Sequence, residues 1–154
     1  MFSTVFGVPA HPLFVHAAVV FIPLLALFAA AYALLPRWRG RTGWLAAILA
    51  AVGPLAALFA KLSGDKFISY RFPQGAPANV LHHRSLGTAT FWFTLGLGLA
   101  TALMLWALQD SPNHPRPAWV KGGLRALVLV LAVIAVVEVA RTGDSGAAAV
   151  WGRA

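Results

Sequence analysis

AHPLFVHAAVVFIPLLALFAAAYALLPRWRGR, residues 10–41, decides the fold. From Leu13 to Leu35 the chain has no Lys, Arg, Asp or Glu, and Pro36 closes the run ahead of Arg37, Arg39 and Arg41. A helix of about 20 apolar residues crosses the hydrocarbon core of a bilayer, and about 17–25 are tolerated. Arginines packed behind such a run hold its end at the headgroups. The stretch therefore reads as a membrane span over 13–35. Its mouth carries two histidines, His11 and His16, where a helix enters lipid.

Three further runs match it: 44–62, 86–108 and 124–140. Backbone polar groups inside lipid must bond within their own segment, so each run is a helix. The expected fold is all-α, a four-helix transmembrane bundle forming one domain over 1–154. Pro54, and Pro23 likewise, should kink their helices by removing an internal hydrogen bond. Trp38, Trp44, Trp106, Trp119 and Trp151 fall at or beyond span ends, as interfacial anchors do, whereas Trp92 falls inside the third span and reads as packing. Ala29-Ala30-Ala31, Ala46-Ala47, Ala50-Ala51, Gly96 and Gly98 allow close helix approach, and such stripes also permit oligomers.

Composition agrees. Of 154 residues, 60% are hydrophobic and 10% charged, against about 45–50% and about 25% in ordinary soluble domains. So few charges cannot cover a water-facing surface, and the first partner is the lipid bilayer. The +8 formal charge comes from 12 Lys/Arg against 4 Asp/Glu. These residues flank the spans and set topology, which argues against nucleic-acid binding. Without cysteine there is no disulfide, thiolate nucleophile or iron–sulfur ligation. The opening MFSTVFGVPA lacks the positive n-region of a secretory signal, so the first span reads as retained.

Four antiparallel spans place the start of the first and third and the end of the second and fourth on one side. That side collects His11, His16, Asp65, His82, His83 and Asp144, with the longest expected loop, 63–85. The compact arginine loop of 37–41 favours the cytoplasm. Both termini and the histidine face would then be extracytoplasmic, in a bacterial cytoplasmic (inner) membrane.

Neutral imidazole is the commonest protein metal ligand. His11 precedes Pro12 and sits at the helix start. His82 and His83 point about 100° apart on a helix, so one of them at most faces the bundle centre. Gly87, four residues after His83, would leave room beside it. Two histidines on co-oriented spans suit axial ligation of a haem iron, and histidines with a carboxylate suit zinc, copper or non-haem iron. Asp65, Asp144, Ser85 and Thr142 are candidate partners for such ligands. The plainer alternative is that interfacial histidines only cap helices and bind water or headgroups. Glu138 reads as an i,i+3 ion pair with Arg141. Gly143 should end the fourth helix, with Asp144-Ser145 starting another turn. His114 falls in a proline-rich loop and reads as solvated. No Walker loop, dinucleotide fingerprint, HExxH or GxSxG is present, so no catalytic residue is named.

HPLFVH at 11–16, an acid after Gly64, HHRSLG at 82–87 and TGDSGAAAVWG at 142–152 resemble a bacterial membrane family catalogued as domain of unknown function 2231. The resemblance runs from about Val8 to Gly152. It implies a four-span bundle with a histidine cluster on one side, and His11, His16, Asp65, His83 and Asp144 as the site. Some relatives carry histidine where this chain has Asp144. Family members fused to Rieske-type iron–sulfur domains imply redox company, such as a respiratory membrane complex. The leading expectation is a haem b electron-transfer or redox-associated protein. His16 and His83 would be its axial metal ligands, with His11, Asp65 and Asp144 around them. The alternatives are a non-haem site of His11, His16, His83 and Asp65 for copper, zinc or iron, and a cofactor-free assembly subunit.

Overall fold

The computed structural model describes residues 4–5, 8–109 and 116–152. Thr4–Val5 (β1) pairs antiparallel with Val8–Pro9 (β2). Four long helices follow: α1 (Ala10–Leu34), α2 (Arg39–Arg71), α3 (Ala78–Leu108) and α4 (Ala118–Trp151). A short 3-10 turn, Pro36–Trp38, joins α1 to α2. All four helices are long and apolar enough to cross a membrane.

Prolines set the boundaries. A residue before proline is pushed out of the helical region. Leu35 accordingly takes φ −115°, ψ 80° before Pro36, and Phe72 takes φ −130°, ψ 64° before Pro73. Pro77 and Pro117 are extended and stand immediately before α3 and α4. Gly75, at φ 118°, makes the turn between α2 and α3 in a conformation that L side chains rarely adopt. Pro23 and Pro54 sit inside continuous helices.

The helices outrun the expected spans. The 63–85 loop contracts to 72–77, because α2 continues to Arg71 and α3 begins at Ala78. Gly143 does not end α4, which runs unbroken to Trp151. At 1.5 Å per residue, α2 and α4 are each roughly 50 Å long, well beyond the ~30 Å hydrocarbon core. Polarity in these last turns ends the lipid-compatible run but not the helix.

Neighbouring helices pack in the ring order α1, α2, α3, α4, with α1 and α3 diagonal. Ile22, Leu25, Leu97, Met104 and Val128 are fully buried. Gly98 lets α3 meet α2 closely: a Cβ there would lie 2.5 Å from the Ala50 carbonyl oxygen. Leu27, Leu99 and Val133 point outward, the side that lipid covers. Trp92 is 62% exposed, its ring tilted against that of Phe91, so it faces outward and is not packing in the bundle.

The two hairpins repeat each other. Shift α1 by 72 residues, the separation of His11 and His83. Buried Ala18, Ile22, Leu25, Ala26, Ala29, Tyr32 and Ala33 then fall on Thr90, Thr94, Leu97, Gly98, Thr101, Met104 and Leu105, all buried. Shift α2 by 82, the separation of Ser63 and Ser145. Buried Ala46, Gly53, Ala56 and Ala57 fall on buried Val128, Ala135, Glu138 and Val139. Over these positions the two hairpins share one packing pattern.

Candidate functional site

The repeat extends to chemistry at one mouth of the bundle. His11, the second residue of α1, is half-buried against α2. Its Nδ1 lies 3.1 Å from the Ala60 carbonyl oxygen and 3.1 Å from Ser63 Oγ. His83 on α3 is half-buried against α4, with Nδ1 2.9 Å from Ser145 Oγ. Ser63 and Ser145 are related by the same 82-residue shift.

The network assigns the tautomers. Ser63 Oγ donates to the Ala60 carbonyl at 2.9 Å, and Ser145 Oγ donates to the Thr142 carbonyl at 2.8 Å. Each serine proton is thus committed inside its own helix, a bond that a residue three positions on can make. Each hydroxyl is left as an acceptor, and a carbonyl can only accept. The assignment that satisfies these partners puts the proton of each neutral imidazole on Nδ1 and the lone pair on Nε2. An imidazole held through Nδ1–H on an oxygen is the usual arrangement behind a metal-ligating Nε2.

A glycine follows each serine and makes the space. A Cβ on Gly64 would come within 2.9 Å of His11 Cε1, and one on Gly146 within 2.9 Å of His83 Cε1. The helix backbones of α2 and α4 therefore lie directly against the rings. Gly87 does not serve this purpose: its nearest neighbour would be Thr142 Cγ2, at 3.9 Å. Across the axis the His11 and His83 ring centroids are 6.3 Å apart, at 76°. Phe67 stacks on His11 at 6.3 Å.

The remaining expected residues are placed differently. His16 is exposed, and its Nδ1 donates to the Pro12 carbonyl of its own helix at 2.6 Å. The partner across from His83 is His11 and not His16. Asp65 accepts from Lys61 Nζ at 2.8 Å and from Arg84 Nε at 2.6 Å, tying α2 to α3. Asp144 and His82 are exposed. Ser85 Oγ donates to the His82 carbonyl, whereas Thr142 pairs with Thr90 at 2.8 Å. Glu138 is buried and receives Arg141 at 2.8 Å, as its spacing predicts. His114 lies outside the described residues. Among the described residues, no three His, Asp or Glu side chains converge as a metal group.

Ser63, Ser145, Gly64 and Gly146 were not readable as imidazole supports from sequence. The signal was there as two Ser-Gly pairs, each late in an even-numbered helix. It becomes legible only once each is matched to a histidine.

The chain belongs to the family described as predicted membrane protein (DUF2231), whose model matches residues 7–154. No curated protein and no solved structure matches it.

Proposed function

We propose that this membrane-spanning member of the DUF2231 family binds one transition-metal ion between His11 and His83 and serves redox chemistry in the membrane. The observation that carries this reading is the Nδ1 hold on a serine at both histidines, whose ring centroids lie 6.3 Å apart across the diagonal of the bundle. Metal–imidazole bonds are about 2.0–2.1 Å, so two rings sharing one ion have centroids roughly 5–6.5 Å apart. The 6.3 Å separation falls in that range.

Copper suits the donor set best. Structural zinc asks for four protein ligands and the non-haem iron triad asks for a carboxylate. Here Asp65 is engaged by Lys61 and Arg84. Cu(I) accepts two nitrogens alone and leaves room for an outside ligand.

Haem b is the second reading, and the two imidazoles favour it as axial donors. Against it stand the backbones of α2 and α4 at Gly64 and Gly146, which would have to part to admit a porphyrin. Axial ligation by His16 with His83 further requires His16 to leave the Pro12 carbonyl. The proposed setting is a bacterial cytoplasmic membrane, histidine mouth outward, beside a respiratory or redox complex.

The test is metal analysis of the detergent-purified chain with a reduced-minus-oxidised visible spectrum. Stoichiometric copper that is lost in His11→Ala and in His83→Ala is the expected result. Haem α and Soret bands would select the second reading. Loading the folded protein with copper, zinc, iron and haem in turn, without binding of any, would end both.

A further inference from the structure

Along the outer seam between α1 and α4, we propose a binding site for a membrane hydroquinone, its two hydroxyls donating to His16 and Asp144 and its apolar tail lying in the groove that continues from them. The groove, about 360 Å3, is lined by Pro23 and Leu27 of α1 and by Val133 and Val137 of α4. Leu27 and Val133 point outward, so it opens towards lipid. Steps of four and seven residues stay on one helix face. They lead from Leu27 through Pro23 to His16 on α1, and from Val133 through Val137 to Asp144 on α4. Each walk covers eleven residues, a rise of ~16 Å. The two helices are antiparallel, so His16 and Asp144 stand level on either side of one seam, at the histidine mouth.

Both side chains are exposed, and both present acceptors. His16 Nδ1 donates to the Pro12 carbonyl at 2.6 Å, so Nε2 carries the lone pair of the neutral ring. Asp144 makes no ion pair among the described residues, and a carboxylate only accepts. Two acceptors flanking one seam call for a ligand with two donors. A hydroquinone carries two O–H groups at opposite ends of a flat ring. Its oxidised quinone carries none, so the site holds the reduced form. The apolar groove beyond the acceptors takes the tail that keeps such a ring in the membrane.

The same seam leads to the histidine pair. Pro12 follows His11, and Asp144 precedes Ser145, whose hydroxyl lies 2.9 Å from His83 Nδ1. Between α2 and α3 the mouth is clasped by Arg84 on Asp65, at 2.6 Å. Under the shifts of 72 and 82 residues those two positions become Pro12 and Ala147, both exposed and uncharged. No such ion pair closes the α1–α4 side, and a ligand there meets the histidines from the unclasped side. That the donor is redox-active rests on the redox reading above; the acceptors and the groove are independent of it.

The test is isothermal titration of the purified full chain in neutral detergent, without oxygen, with a decyl-substituted benzohydroquinone, its oxidised quinone, or its dimethyl ether. Metal content is measured on the same preparation. One hydroquinone per chain is expected, with the quinone and the ether bound about tenfold or more weakly. His16→Ala and Asp144→Ala, both at exposed positions, should each weaken hydroquinone binding by about tenfold, the loss of one hydrogen bond. Val133→Trp, which fills the outward groove and leaves both acceptors, should weaken it too. Wild-type binding by His16→Ala and Asp144→Ala overturns the proposal. So does equal binding of the ether, because the hydroxyls would then not be read, and so does a wild type that binds no hydroquinone. Full competition by phosphatidylethanolamine overturns it in favour of a lipid ammonium. Metal bound without hydroquinone ends this proposal alone, and hydroquinone bound without metal ends the metal reading alone.

Discussion

His11 and His83 face each other across the diagonal of the bundle, ring centroids 6.3 Å apart and planes at 76°. They belong to different hairpins, yet the Nδ1 of each is held by a serine hydroxyl of the following helix, Ser63 for His11 and Ser145 for His83. The site is symmetric in its supports although its residues are scattered along the chain.

That symmetry predicts equivalence. His11→Ala and His83→Ala should each remove bound metal to the same extent, because each takes away one of two donors. His16→Ala should leave occupancy near wild type, since its ring is exposed and bonds only to its own helix. Metal per protein, measured on the three purified variants, checks this. A larger loss in His16→Ala than in His11→Ala would refute the pairing.

The glycines should separate sharply. Gly64→Ala and Gly146→Ala place a methyl within 2.9 Å of an imidazole carbon, and overpacking of this kind costs about 1–3 kcal/mol. Gly98→Ala, which meets a backbone oxygen, should be at least as costly. Gly143→Ala has nothing within 4 Å and should be neutral or gain about 0.5–1 kcal/mol from helix propensity. Thermal midpoints of the four variants in one detergent give the ranking.

Serine removal tests the tautomer assignment. Ser145→Ala takes an acceptor from His83 Nδ1 and should cost about 1 kcal/mol. Ser63→Ala should cost a similar or smaller amount, because the Ala60 carbonyl remains 3.1 Å from His11 Nδ1. Both should lower metal affinity without abolishing it, because the donors themselves remain. Equilibrium metal titration of each variant is the check.

Asp65 links Lys61 to Arg84, but its side chain is 25% exposed and that of Arg84 52%. Asp65→Asn should therefore cost no more than about 1 kcal/mol. The difference from wild type should shrink as salt is raised. A large, salt-independent loss would point to a role for the carboxylate beyond the ion pairs.

Within the site, Glu138 with Arg141 was legible because an i,i+3 pair is decided by one helix alone. The choice between His11 and His16 was not. Five residues apart, they point about 140° from each other, so only one can face the axis. Which one depends on how α1 is rotated. A helix apolar all round, as lipid demands, carries little amphipathic signal to show its inner stripe. The packing of Ile22, Leu25 and Ala29 sets that rotation and brings His11 inward. Gly143 misled for a related reason. Its turn chemistry is real, but α4 continues through it to Trp151.

Local residue pattern is enough to define the four spans, their order across the bilayer and the gathering of His11, His16, His82 and His83 on one side. Continuous apolar runs closed by proline and arginine have no other arrangement in lipid. Which histidines meet, and which serine and glycine support each, emerges only when the helices pack. Those depend on helix rotation and on contacts between hairpins far apart in the chain, and no local pattern of residue types specifies them.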